Sequence, residues 1–188
     1  MKKFELTSET KIHLGRTLYR IRALVSFGNV KEGDLGGWVE KENNLDQSGN
    51  AWVYGNARVY GDAWVYGNAW VFGNARVYGD AEVYGDAWVY GDAGVYGDAR
   101  VYGDARVYGE RHILWISMIG SRNDTVTFTR NKECKIQVAV GCFRGTIDEF
   151  VEKVKQTHGD NEHAKAYMLA VELAKLRIDL SEGGEDDA

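Results

Sequence analysis

Residues 51–68 read A-W-V-Y-G-N-A-R-V-Y-G-D-A-W-V-Y-G-N, one six-residue phrase repeated three times. The phrase A-x-V-Y/F-G-N/D/E continues to residue 110 with no insertion or deletion. Its Ala recurs at 51, 57, 63, 69, 75, 81, 87, 93, 99 and 105, with Val two and Gly four residues after each Ala. Within each hexad Ala and Val alternate with x and the aromatic, the period-two pattern of a strand with one buried face. Gly and Asn/Asp follow, and both suit a corner: Gly accepts positive φ and Asn/Asp bond their own backbone. Each hexad therefore predicts one short strand and one corner. Three hexads close a triangular coil whose interior is filled by Ala and Val. Self-similarity at a short fixed period specifies a solenoid.

The phrase resembles the hexapeptide-repeat family, in which an aliphatic residue is followed four positions later by a small one, as in V-Y-G-D-A. That resemblance implies a left-handed parallel β-helix. The chain departs from the family in placing an aromatic after nearly every Val. Ten hexads amount to three and a third coils, roughly 15–20 Å of solenoid, and both open ends need covering.

Working outward, residues 1–50 contain two alternating stretches, K-F-E-L-T and T-L-Y-R-I-R-A-L-V, separated around Gly15. They predict a β-hairpin that caps the N-terminal end. A glycine-rich passage, F-G-N-V-K-E-G-D-L-G-G-W-V-E, leads into the repeat. Val39, Leu45 and Ala51 stand six apart, which starts an imperfect hexad register at Val39. The passage from residue 19 to 110 is similar to the leader and repeat of a group of phage and prophage hexapeptide-repeat proteins, some labelled putative acyltransferases.

Beyond residue 110, H-I-L-W-I-S-M-I-G, D-T-V-T-F-T-R and K-I-Q-V-A-V-G-C predict three strands. A helix follows, opened by the capping pair Thr146 and Glu149 and ended by Gly159. Its apolar face is Ile147, Phe150, Val151 and Val154. A second helix begins at Asp160 or Asn161 and runs to about Ile178, with Ala164, Tyr167, Met168, Val171, Ala174 and Ile178 inward. Leu169, Leu173 and Leu176 widen that stripe and predict burial on more than one side. This βββαα module (residues 111–180) is similar to a small domain of phage proteins around G-C-F-x-G-T-x-x-E-F and T-H-G-D. Residues 181–188 read as a disordered acidic tail. The fold class is thus mainly β: an N-terminal β cap (1–50), a β-helix (51–110) and a small α+β module.

The net charge is −5, with eight basic and seven acidic residues in 1–50 but four and eight in the repeat. The sequence carries no basic stripe of the kind that neutralises phosphates, so direct nucleic-acid binding is not expected. No membrane-length apolar stretch or secretory leader is visible, and two cysteines make no disulfide framework. The expectation is a cytoplasmic protein, in the host cell if phage-encoded.

Residues eighteen apart stack in such a coil. Trp52, Trp70, Trp88 and Arg106 form one outward ladder beside Tyr54, Phe72, Tyr90 and Tyr108. The second side carries Arg58, Arg76 and Gly94 beside Tyr60, Tyr78 and Tyr96. The third carries Trp64, Glu82 and Arg100 beside Tyr66, Tyr84 and Tyr102. The first side is an aromatic patch on the order of several hundred Å², a size that marks interaction surfaces, in residue types typical of hot spots. Stacking that merely stabilises the β surface is the other reading, and the better one for the tyrosines. Arg58, Arg76, Trp64 and Arg100 form secondary binding faces.

The corner Asn and Asp residues read as turn chemistry rather than calcium ligands, which need six to eight oxygens. The repeat has no His, Cys or Ser. His13, His112, His158 and His163 lie outside it, as do Cys134, Cys142 and Asp160. None has metal or nucleophile spacing, and Cys142 reads as a packed small residue. No catalytic residue, metal or cofactor is expected. The leading reading is a non-enzymatic, phage-type interaction or scaffold protein, with a homo-oligomer as one expected state. It would bind a host protein or itself, for instance as an anti-CRISPR-like inhibitor of a host defence complex. A hexapeptide acyltransferase using acyl-CoA and a self-assembling scaffold are the alternatives.

Overall fold

The computed structural model describes residues 2–181; the expected acidic tail beyond 181 lies outside them. The chain divides into two compact units, Met1–Glu110 and Arg111–Ala188.

The first unit opens with β1 (Phe4–His13) and β2 (Arg16–Ala23), an antiparallel hairpin. Its two-residue turn puts Leu14 at φ 49° and Gly15 at φ 76°, the double positive φ that tight hairpins require. Strand β3 (Leu35–Val39) pairs antiparallel with β2 and parallel with the first repeat strand that follows it in the sheet. Ten two-residue strands come next, β4–β13: Trp52–Val53, Arg58–Val59, Trp64–Val65, Trp70–Val71, Arg76–Val77, Glu82–Val83, Trp88–Val89, Gly94–Val95, Arg100–Val101 and Arg106–Val107.

They sort into three parallel ladders. One side is β4-β7-β10-β13; another is β6-β9-β12; the third is β3-β5-β8-β11, extended by the hairpin into a six-stranded sheet. Register advances by eighteen residues per coil, Trp52 beside Trp70 and Arg58 beside Arg76. All ten repeat Ala and all ten repeat Val side chains are buried, so the interior is as thin as the phrase predicts.

The first coil differs. Val39 pairs with Val59 and Leu45 with Val65, offsets of twenty. The equivalent of Leu45 on the next side is therefore Val53, not Ala51, and two extra residues sit at the corner between. Counting that coil gives four turns where the phrase alone gives three and a third. Lys3 fills the enlarged corner, its Nζ donating to the carbonyls of Ala51 (2.9 Å) and Ser48 (3.2 Å). Asn44 closes the neighbouring corner by donating to Ala63 O and Gly61 O. Gly36 and Gly37 let β3 cross the first coil: a Cβ on Gly36 would stand 2.7 Å from Val53 O, and one on Gly37 2.9 Å from Ala57 O.

Corner chemistry is visible in side-chain ladders. Asn50 donates to Asn68, Asn68 to Asp86, Asn56 to Asn74 and Asn74 to Asp92. Each amide donates one coil onward, and an acceptor carboxylate receives the last bond. Among the described residues no group of three or more His, Cys, Asp or Glu could hold a metal ion.

The second unit has four strands rather than three: β14 (Ile113–Ile119), β15 (Asp124–Arg130), β16 (Ile136–Val140) and β17 (Phe143–Thr146), an antiparallel meander. Gly141 at φ 52° turns the chain between Val140 and its partner Phe143, which ends the stretch read as the third strand and starts a fourth beyond it. Thr146 caps α1 (Ile147–His158) and Asn161 caps α2 (Glu162–Arg177). Phe150 and Val154 of α1, and Tyr167, Ala170, Val171 and Ala174 of α2, join Val126, Phe128 and Val138 in one core. Leu169, Leu173 and Leu176 do not: they are 73%, 47% and 81% exposed. The helix buries one face, and the leucine stripe is its outer edge.

Candidate functional site

The predicted ladders of the first side are present in register, Trp52-Trp70-Trp88-Arg106. They are not uniformly exposed. Trp52 is fully buried, which removes it from the outer surface: Phe4 and Phe27 meet its ring edge-on at centroid distances of 6.4 and 5.3 Å. The hairpin and the glycine-rich passage thus spend the first tryptophan on closing the end of the solenoid. From there the surface opens. Trp70 is half-buried and Trp88 is 41% exposed. Phe72 stacks on Tyr90 at 4.8 Å and Tyr90 lies 5.1 Å from Tyr108. The Arg106 guanidinium stands 4.4 Å above the Trp88 ring, a cation–π contact, while its Nη1 donates to the carbonyls of Asp86, Asp104 and Ala105. Tyr54 is exposed. The site these residues form is a flat aromatic strip, Trp70 to Tyr108, ended by a fixed cation.

On the β6-β9-β12 side, Trp64 stacks on Tyr66 at 4.0 Å, and Tyr66 on Tyr84 at 4.8 Å. Tyr66 donates to Glu82, and Glu82 lies 3.6 Å from Arg100. This side balances its own charges. On the third side Tyr60 and Tyr78 stack at 5.0 Å beside Arg58 and Arg76. Tyr60 is buried with Leu18 and Trp38, under cover of the hairpin. The sequence does not show that cover, because the covering residues lie some forty positions upstream.

The histidines and cysteines are dispersed. His13 meets the edge of Tyr60 at 5.4 Å. His112 is buried, and burial first, then Arg130, holds its pKa below the ordinary value. His158 lies 5.7 Å from His163 and 5.9 Å from Tyr167, with Asp160 exposed in the turn between the two helices. Cys134 receives a contact from Arg130 Nη2 at 2.9 Å. Cys142 is exposed in the β16–β17 turn rather than packed, because two-residue turns point their side chains outward. No nucleophile–base pair is assembled by these contacts.

No helix among the described residues is long and apolar enough to cross a membrane. Comparison with family models matches residues 51–67, 75–91, 93–109 and 99–113 to the YdcK beta solenoid repeat. No curated protein matches the chain. The central part of this chain is accordingly a β-solenoid repeat, similar to the one that family model describes.

Proposed function

We propose that the chain is a left-handed, hexapeptide-type β-helix that works by binding rather than catalysis. Its aromatic strip engages a protein partner, either a host protein or a second copy. The observation that supports this most is the exposure of Trp88 beside Arg106 on a rigid ladder. Aromatic and Arg side chains on a preordered surface lose little conformational freedom on binding. An inhibitor encoded by a phage and acting in the host cytoplasm on a defence complex fits that mode, by analogy with the phage proteins its leader resembles.

The test is affinity capture from a bacterial host lysate, with sedimentation of the purified chain, comparing wild type with a Trp70→Ser/Trp88→Ser variant. Both residues lie outside the buried core, so the variant folds. Loss of a captured partner or of an oligomer supports the proposal. Identical captures and identical sedimentation overturn it.

A further inference from the structure

The six-stranded sheet gathers, on one face, basic side chains from four strands. Register sets Arg20 opposite Trp38, Trp38 beside Arg58, and Arg58 beside Arg76. In the hairpin, Lys11 lies opposite Leu18 and His13 opposite Arg16. Alternate residues of a strand share a face, so Lys11, His13, Arg16, Arg20, Arg58 and Arg76 all lie on the same one. Two are neutralised: Arg16 by Glu40 at 2.9 Å and Arg20 by Glu9 at 3.4 Å. Lys11, Arg58 and Arg76 make no ion pair among the described residues, and Arg58 Nε is buried without a hydrogen-bond partner. An acidic protein has thus collected three cations without an ion-pair partner in one place, with Glu9 the one carboxylate felt by Lys11.

Their mutual effect is visible. Lys11 sits 4.0 Å above the Trp38 ring. Its pKa is lowered to about 8, by burial first and then by the positive charges of Arg58 and Arg20. Burial, Arg58, Lys11 and Arg76 lower His13 in the same direction. A bound anion would relieve this repulsion. The face is open at its Arg76 end. Where the ladder would place a third side chain after Arg58 and Arg76 it has Gly94, and a Cβ there would meet only the Tyr96 ring, at 3.8 Å.

The tyrosines beside the cations leave no room for a base to stack between them. Tyr60, Tyr78 and Tyr96 already stack on one another, each neighbouring pair at 5.0 Å with interplanar angles of 1° and 12°. What remains available is charge and donors. Two guanidinium forks on neighbouring strands, whose backbones lie about 4.8 Å apart, and an ammonium suit an oxyanion with several oxygens better than a single carboxylate.

We propose that this face, centred on Lys11, Arg58 and Arg76, is an oxyanion site that takes the phosphate groups of a phosphate-bearing ligand, whether a small phosphate ester or a nucleic-acid backbone. It is separate from the aromatic strip and does not depend on that strip's role.

The experiment is calorimetric titration of the full chain with pyrophosphate, with anisotropy of a labelled single-stranded oligonucleotide and of labelled polyglutamate as parallel arms. Saturable pyrophosphate binding is expected, weakened at least about tenfold by Arg58→Gln/Arg76→Gln and unchanged by Arg100→Gln on another side. Because Arg58 is half-buried, Gly94→Glu and Gly94→Arg supply a second reading in open space: the first weakens binding and the second tightens it. Oligonucleotide binding whose salt slope falls by about two contacts in the double arginine variant assigns the phosphate to a backbone. Pyrophosphate binding without it assigns a small ester. The proposal is overturned if wild type binds neither phosphate probe at millimolar concentration, if the arginine variant binds both equally well, or if polyglutamate is preferred to both.

Discussion

Coil spacing can be tested by one methyl group placed at two equivalent corners. Gly55 and Gly85 both have positive φ, 64° and 71°. An alanine at either bears the left-handed penalty of about 1–2 kcal/mol, partly offset by about 0.4–1 kcal/mol from a less flexible unfolded chain. Their surroundings differ. A Cβ on Gly55 would lie 3.6 Å from Gly73 O, an ordinary contact, whereas one on Gly85 would lie 2.8 Å from Gly103 N and 3.2 Å from its Cα. Those are backbone atoms of the next coil and cannot swing away. Relief requires parting the coils where Asp86 N donates to Gly103 O at 2.8 Å. That adds an overpacking term of about 1–3 kcal/mol. Gly55→Ala should therefore cost about 1 kcal/mol and Gly85→Ala about 2–4 kcal/mol. Urea denaturation followed by tryptophan fluorescence measures both, since five of the six tryptophans lie in residues 1–110. Equal destabilisation by the two variants would refute the argument that inter-coil packing, and not φ alone, demands glycine.

Other consequences are as direct. Trp52→Ala should cost about 3–5 kcal/mol as a core truncation, but Trp88→Ala, two coils along the same ladder, only about 0.5–1 kcal/mol through the lost Arg106 contact; the same urea melts compare them. Lys3 and Lys11 are lowered to about 8, both chiefly by burial. Below that pH both states are protonated and the cost of burying charge is present in full. As pH rises past 8 the native state releases protons that the unfolded chain retains, so stability should rise toward the ordinary lysine value. A urea midpoint that falls over that window contradicts this, and Lys3→Met should flatten the slope. Thr146→Ala should cost about 1 kcal/mol through loss of the α1 cap, read as reduced amide protection in residues 147–150. Leu169→Ser and Leu173→Ser should stay within about 0.5 kcal/mol of wild type, because neither side chain is in the core.

What the sequence made legible was whatever depended on fixed spacing. The eighteen-residue register, the three sides, the hairpin about Gly15 and the Thr146–Glu149 cap all follow from local pattern. The misreadings share a different physics. Trp52 looks identical to Trp70 and Trp88 in its hexad, and only Phe4 and Phe27, far upstream, bury it. The two extra residues in the first coil have no phrase to announce them, and Lys3, their partner, precedes them by more than forty positions. Leu169, Leu173 and Leu176 fit a helical stripe, yet the four-stranded sheet offers a surface for one helix face only. The basic face was half visible for the same reason: the repeat sets Arg58 beside Arg76, but Lys11 joins them only once β2 and β3 lie between.

The constant eighteen-residue register has a consequence for how such a chain changes over generations. Gain or loss of three hexads is a pure change of length, since every outward residue returns to its own side. A single hexad is a rotation. It turns all downstream x positions by a third of a circle, placing Arg106 in line with Arg76 or Glu82 instead of Trp88. Duplication in this gene is therefore quantised: steps of eighteen conserve the surface, and steps of six shuffle it.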